Sequence, residues 1–426
     1  MEWADLLQRS TTTTPAVVVG GARGALGVVR DLGSEGVPVV AMNHEREAPA
    51  LDSRYCAPAI YPDPGESEED FIRALEAVGE ALPRRAVLLP TYEGLVDAVS
   101  RHKERLERVY HVPVMPWDRM SRLADKEQQL VVAREAGVDV PRSALVTDLD
   151  DLREAAEEVP FPAVLKPCTP HAMLDQTGLK AAGVDTREDL EATYARFPEV
   201  GTMLLQEVIP ARNDAIAIAA GYWDAQSRPV ATFTGRKLRQ HPRQFGVTRL
   251  AESRWLDEVA DLALRFLDEI SYHGLYDLEF MLDPRDGRYK FIEINARQPL
   301  WVPLATAAGV NLSLIAYKDL TGRPITALPQ RDGVGWMNLW QDGPDSLAEW
   351  RRGELSLREW VRPLARVRAD AGLSIRDPPP VLTELGRRAA TRAGRAARPG
   401  SDATDEGVNT TATHSGTRTP RRASPA

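Results

Sequence analysis

Residues 274–297 read GLYDLEFMLDPRDGRYKFIEINAR. Leu278, Phe280 and Leu282 alternate with Asp277, Glu279 and Met281, and Ile292, Ile294 and Ala296 alternate with Glu293, Asn295 and Arg297. This is the period-two pattern of half-buried strands. Between them residues 284–288, Pro-Arg-Asp-Gly-Arg, supply a hairpin loop with Asp-Gly at its turn. The apolar residues of both strands sit at even positions, so odd must pair with odd. Pairing Leu282 with Lys290 places Glu279 opposite Glu293 and Asp277 opposite Asn295, with Cβ atoms about 4.5–5.5 Å apart. Two facing carboxylates repel, raise one another's pKa and call for a cation between them. Glu279, Glu293 and the Asn295 amide carbonyl are hard oxygen ligands of the kind Mg²⁺ takes, completed by water and nucleotide phosphates. Arg297, two residues beyond Asn295 on the same face, then stands to meet a phosphate oxygen. A solvated outer face is the alternative, and it leaves the strict separation of a charged and an apolar face unused.

This strand pair resembles the metal-binding end of the ATP-grasp superfamily, whose members carry an acidic residue on one strand and Glu-x-Asn-x-Arg on the next. Here those positions are Glu279, Glu293, Asn295 and Arg297. Upstream, Lys126 by itself reads as a surface lysine. Followed by a helix and then Ala-Gly-Val-Asp-Val-Pro at 136–141, it resembles the first ATP-grasp motif, which implies contact with the nucleotide phosphates. In FPAVLKP, residues 161–167, Lys166 interrupts an apolar strand. Burying an ammonium costs several kcal/mol unless an anion meets it, and the resemblance implies that Lys166 reaches the α- and β-phosphates. The stretch 168–178 has one glycine where family members carry a glycine-rich loop, which leaves Thr169, His171 and Lys180 as equal candidates for a phosphate contact. In MLLQEVI, residues 203–209, Gln206 and Glu207 resemble the adenine hinge, with a donor and acceptor pair expected on the backbone at 207–209. Asp214 matches the acidic residue that takes the ribose hydroxyls, and without that context reads equally as a turn cap.

Residues 234–246, TGRKLRQHPRQFG, gather Arg236, Lys237, Arg239, His241 and Arg243. Such a run alone could bind nucleic acid or be solvated; in a cleft it would neutralise a transferring phosphoryl group. Its Gly-Arg-Lys-x-Arg-Gln-x-Pro pattern resembles the carboxylate-amine ligase branch that includes D-aspartate ligase. Arg236, Lys237 and Arg297 are the expected catalytic residues. Lys126, Lys166, Gln206, Glu207 and Asp214 are expected on the nucleotide, and Glu279, Glu293 and Asn295 on the metal. The resemblance implies ATP and Mg²⁺, or Mn²⁺ in its place. It also implies small carboxylate and amine substrates of amino-acid type, joined through an acyl phosphate with release of ADP and phosphate. A homodimer is compatible with it. The rival functions are a non-catalytic ATP-binding regulator and, behind it, an NAD(P)-dependent reductase.

The reductase reading rests on the N-terminal strand PAVVVG, residues 15–20, followed by glycines 21, 24 and 27 and a helical stretch. A G-x-G-x-x-G fingerprint would need glycine at Ala22, and the second strand ends in Met42-Asn43-His44 rather than an acidic ribose ligand. The fold expected is therefore α/β: a Rossmann-like domain over 1–118, then an ATP-grasp fold of two α+β subdomains, 119–200 and 201–325, clasping the nucleotide. A C-terminal extension with tryptophans over 326–386 and a disordered basic tail over 387–426 complete the chain. Within the first domain, 112–115 reads as its last short strand, with His102 and His111 as bystanders. Arg376-Asp377 and three prolines read as an extended exit segment.

Composition agrees. Hydrophobic residues make up 43% of the 426, enough for several cores. The net charge is −9, and residues 387–426 hold eight arginines against three acids, so the body before them carries −14. An acidic body argues against nucleic-acid binding. Two distant cysteines, Cys56 and Cys168, make neither a disulfide framework nor a metal-ligand spacing. No apolar run approaches the length of about 18 residues that spans a bilayer, and the N-terminal segment lacks a signal-peptide pattern. The expected location is the cytoplasm.

Overall fold

Short β-branched and apolar runs build the first sheet: β1 Ala16–Val19, β2 Val39–Asn43, β3 Cys56–Ile60, β4 Ala86–Pro90 and β5 Tyr110–His111. This computed structural model describes residues 1–168, 181–198, 200–243, 245–326 and 328–396. The five strands pair in parallel in the order β3-β2-β1-β4-β5. β1, β2 and β4 are buried throughout, as parallel strands covered on both faces are. The last strand is Tyr110–His111 rather than 112–115, so His111 belongs to the sheet. Gly20, at φ +119°, turns the chain from β1 toward the helix Ala22–Gly33; a Cβ there would come within 2.8 Å of the Leu95 and Thr91 side chains.

A four-stranded antiparallel sheet follows, made of β6 Ser143–Val146, β7 Ala163–Pro167, β8 Ala182–Val184 and β9 Met203–Glu207 in the order β6-β9-β7-β8. It has its own small core around Val146, Leu152, Leu165, Met203 and Leu205. The expected phosphate loop, with Thr169, His171 and Lys180, lies outside the described residues.

The third sheet contains β10 Ile216–Trp223, β11 Pro229–His241, β12 Val247–Ser253, β13 Gly274–Leu282, β14 Tyr289–Asn295, β15 Gly335–Met337 and β16 Val367–Asp370. Its order is β14-β13-β10-β11-β12-β15-β16. Leu278, Phe280, Phe291 and Ile294 face Phe266 and Leu267 of the amphipathic helix Asp257–Glu269. Ile216, Ile218 and Phe233 face the other way, sharing a core with Trp301, Val302, Leu304 and with Leu26 and Val29 of the helix Ala22–Gly33. The parallel sheet and the large antiparallel sheet are thus joined through one hydrophobic layer.

The β13–β14 hairpin follows the expected register at the charged end and departs from it at the turn. Glu279 pairs with Glu293 and Asp277 with Asn295, but Leu282 pairs with Tyr289 rather than Lys290. The slip occurs between Glu279 and Phe280, and Ile292 is the extra residue. Phe291 causes it: its ring stacks on Phe266 with centroids 4.8 Å apart and meets Phe280 edge-on at 6.1 Å, and its N–H donates to Asp139 O at 2.8 Å. The core takes Phe291, and Ile292 is left half-buried. The Asp-Gly turn forms as expected, with Gly287 at φ +74° and its N–H donating to Asp283 O at 2.8 Å.

The C-terminal part also departs from expectation. β15 and β16 extend the large sheet, and Trp336 is fully buried in its core. Residues 379–396 are a helix, Pro379–Ala396, not an extended exit and the start of a disordered tail. Asp377, fully buried, fixes the approach to that helix: it accepts from Arg30 Nε at 2.9 Å, Ser53 Oγ at 2.8 Å and Arg54 N at 2.9 Å. Residues 397–426 lie outside the described region. Among the described residues no helix is long and apolar enough to cross a membrane.

Candidate active site

The hairpin register puts Asp277, Glu279, Glu293 and Asn295 on one face at the edge of the large sheet. From β11, across the intervening β10, Lys237 extends its Nζ to within 2.8 Å of Glu279 Oε2. It is 3% exposed, so its stem is enclosed and its ammonium rests on that carboxylate. Lys126 opens the helix Lys126–Glu135, whose first turn is capped by Asp125 accepting from Gln128 N at 2.9 Å. Its Nζ lies 3.7 Å from Glu293 Oε2. The Lys126 N–H donates to Cys168 O at 3.2 Å, which ties this helix to the end of β7 and brings Lys126 beside Lys166. Lys166 Nζ donates to Gln206 Oε1 on β9 at 2.9 Å, while Gln206 Nε2 is buried without a partner among the described residues.

Arg297 closes the set. Its Nη2 pairs with the Glu93 carboxylate at the start of the helix Glu93–Arg101 and donates to Asn295 Oδ1 at 3.4 Å. Nη1 donates to Gln298 O at 3.1 Å and stands 4.0 Å from Asp277 Oδ2. Glu93 and Asp277 hold the Arg297 pKa above its ordinary value against the opposing effect of burial.

The electrostatics are those of carboxylates crowded together and withdrawn from water. Burial, then the neighbouring Glu279 carboxylate, push Asp277 well above the usual carboxylate range; Arg297 and Lys237 act against this. Burial raises Glu279 too, with Lys237 opposing and Glu293 reinforcing the rise. Asp277 Oδ1 is buried with no hydrogen-bond partner among the described residues. Burial, and next the Lys126 ammonium, push the Lys166 ammonium down to about 7. It is poised to gain a proton when an anion arrives.

The remaining expected residues lie elsewhere or are differently engaged. Arg236 pairs in the ladder with Ala217, which pairs with Phe280, so alternation turns it to the face opposite Glu279. Arg239, 7% exposed, is fixed on Asp342 at 2.9 Å and on the carbonyls of Glu359 and Trp360. His241 meets Asp345 at 2.7 Å and Arg243 meets Glu354 at 3.3 Å. Of the basic run, Lys237 reaches the acidic set. Glu207 gives its carboxylate to Arg142 N at 2.9 Å and Arg285 Nη1 at 2.8 Å, and the N–H groups of Glu207 and Val208 go to Arg142 O and Pro162 O. Asp214 is exposed and accepts from Arg212 Nε at 3.3 Å.

Asp277 and Glu93 were not assigned roles from the sequence. Asp277 precedes Glu279 by two residues on the same face, so the period-two pattern carried its signal. Glu93 had none, since it comes from 204 residues away.

The donor set suits a hard divalent cation: two facing carboxylates, a third carboxylate with an orphaned oxygen, and an amide. Among the described residues, no three His, Cys, Asp or Glu side chains already close on one point that could hold a metal ion. Lys237 draws Glu279 one way and Lys126 draws Glu293 another.

A family model, the carbamoyl-phosphate synthase L chain ATP binding domain, matches residues 248–327, which include the whole hairpin. D-aspartate ligase of Enterococcus faecium (strain Aus0004) is 25% identical over 247 residues, or 55% of this chain. The match spans 59% of that relative's length. Among solved structures, N5-carboxyaminoimidazole synthetase from Staphylococcus aureus complexed with ADP is similar at a TM-score of 0.60 and 16% identity, covering 80% of this chain and 87% of that one. L-amino acid ligase from Bacillus licheniformis is similar at a TM-score of 0.54 and 17% identity, covering 72% and 74%. The hairpin lies inside the matched segment, and the chain is similar in sequence to D-aspartate ligase and in fold to these ATP-grasp carboxylate-amine ligases.

Proposed function

We propose that this chain is an ATP-dependent carboxylate-amine ligase that forms an amide or peptide-type bond through an acyl phosphate, releasing ADP and phosphate. The observation that carries the reading is the Glu279 and Glu293 pair with the partnerless Asp277 oxygen, surrounded by Lys126, Lys166, Lys237 and Arg297. Glu279, Glu293 and Asn295, joined by Asp277, would hold Mg²⁺ or Mn²⁺, which supplies charge neutralisation on the phosphates. Lys126 and Lys166 offset the charge of the nucleotide phosphates from the side of the small sheet. Arg297 and Lys237 face the developing charge on the transferring group. A substrate carboxylate oxygen attacks the γ-phosphorus and ADP leaves. An amine nitrogen then attacks the acyl carbon, phosphate leaves and the nitrogen loses a proton. No protein nucleophile takes part.

In this reading the parallel sheet, within residues 1–118, is a Rossmann-like domain preceding the ATP-grasp subdomains. Adenine lies along the hinge after β9, where the Glu207 carboxylate braces the backbone rather than touching the base. Asp214 takes the ribose. The test is incubation with MgATP and a panel of amino acids and dicarboxylates, following ADP, phosphate and product mass. One ADP per amide is the expected result. MgATP binding without ADP release across the panel would mark a non-catalytic ATP-binding protein, and no MgATP binding at all would overturn both readings.

A further inference from the structure

Arg297 is held by more than Glu93. Its Nη1 donates to the Gln298 carbonyl at 3.1 Å, and the Gln298 side chain, 4% exposed, donates from Nε2 to Ser313 Oγ at 2.9 Å. Ser313, fully buried in the first turn of the helix Leu312–Leu320, stands 2.9 Å from Asp31 Oδ2. Asp31, 5% exposed, belongs to the helix Ala22–Gly33 that follows the glycine turn. Gln298 is therefore the joint between the two: its backbone carbonyl takes the guanidinium beside the acidic set, and its side chain joins the hydrogen bonds that lead to the parallel sheet's first helix.

The Ser313 hydroxyl has two acceptors in reach, Asp31 Oδ2 at 2.9 Å and Gln298 Oε1 at 3.3 Å, and one O–H serves one of them at a time. With Asp31 ionised, the hydroxyl donates to Asp31 and the Gln298 amide donates to Ser313. With Asp31 protonated, its own O–H donates to Ser313 Oγ, and the Ser313 O–H turns to Gln298 Oε1. The two arrangements differ by one proton on Asp31 and by the direction of two hydrogen bonds.

We propose that Asp31, Ser313 and Gln298 are positioning residues that couple the protonation of a buried carboxylate in the first helix to the orientation of Arg297. The coupling rests on the reading of Arg297 as the guanidinium that faces the transferring phosphoryl group. Burial pushes Asp31 up to about 7, the nearby Thr306 hydroxyl and the Ser313 hydrogen bond pull the other way, and Glu35, just past the end of the helix, adds to the rise. Around it stand Thr306 from the helix Val302–Ala307, Ser313 from the next helix, and Asn311, whose amide donates to the Asp31 backbone carbonyl at 3.1 Å. Arg30, the adjacent cation, is committed to Asp377 at 2.9 Å.

The test uses the full chain without nucleotide, carrying ¹⁵N-labelled arginine, with the Arg297 side-chain signal assigned by its loss in Arg297→Lys. Asp277 and Glu93 beside the guanidinium also move this signal with pH, in wild type and variants alike. The expected result is an additional component of the shift, with a midpoint near pH 7, that is lost in Asp31→Asn and also in Ser313→Ala, which keeps the carboxylate but cuts the relay. A titration curve through pH 7 that is the same in the wild type and in either variant overturns the proposal. Because neither ATP nor an acceptor is present, its failure is separate from failure of the ligase reading.

Discussion

Two buried ionic clusters lie on the same large sheet and are built to opposite ends. Where β11 and β12 meet the helix Leu339–Arg351, Arg239 and Arg249 bind Asp342, Ser346 and Glu349; Arg249 is 2% exposed, with both Glu349 oxygens 2.6 Å from its Nη2. At the β13–β14 edge, three carboxylates share Lys237, Lys126 and Arg297, one carboxylate oxygen has no partner among the described residues, and two of the carboxyls are pushed upward. Charge matched by opposite charge at hydrogen-bond distance is structural. Carboxylates crowded onto one face, with an oxygen left over and pKa values pushed upward, are the arrangement expected of a site that takes a cation.

The largest expected effect falls on the matched cluster. Arg249→Met leaves Glu349 buried without its guanidinium, while Asp342 keeps Arg239, and should cost about 3–5 kcal/mol in denaturant unfolding. A loss under about 1 kcal/mol would remove the distinction between the two clusters. At the other cluster, Glu293→Gln relieves repulsion rather than creating it. It should lower turnover roughly 10²–10³-fold while the unfolding midpoint stays near that of the wild type. A variant that unfolds instead would make Glu293 structural.

Lys166 sharpens the contrast through pH. Its folded pKa, about 7, lies below the ordinary 10.5, so between these values the unfolded chain binds more protons than the folded one. Stability should therefore rise with pH across that window and level off above it, and Lys166→Met should remove the slope in thermal melts. MgATP affinity should run the other way, weakening as pH rises above 7, since the phosphates need the ammonium; titration calorimetry at several pH values reads this directly. The smallest effect belongs to Arg243, 55% exposed against Glu354. Arg243→Ala should change stability by no more than about 0.5 kcal/mol and leave turnover unaltered, because that end of the basic run faces the turn after the helix Leu339–Arg351 and not the acidic set.

How much of this was legible follows from where each signal resides. The alternation of Asp277, Glu279, Glu293 and Asn295 is local, so the sequence alone reveals which side chains share a face. Lys166 was legible because an ammonium in an apolar strand is conspicuous. The Ile292 bulge was not, since Phe291 displaces it by stacking on Phe266 from a helix earlier in the chain. Arg239 sits in the same basic run as Lys237 and looked equivalent to it; its partner Asp342 is 103 residues away. Arg236 was separated from Lys237 by strand parity, which becomes decisive only once the strand's extent is known.

One further property follows from the hydrophobic layer shared by the first helix and the large sheet. A Cβ on Gly27 would lie 3.1 Å from Val302 and Pro303 side-chain atoms, so two stretches far apart in the chain press together closely enough that a methyl would make its neighbours give way. Cleaving the polypeptide after its first sheet would leave Trp301, Val302 and Leu304 open to water. The part that carries the two later sheets is therefore poorly suited to excision as a stand-alone module, and useful cut sites for domain grafting must be sought beyond the seam.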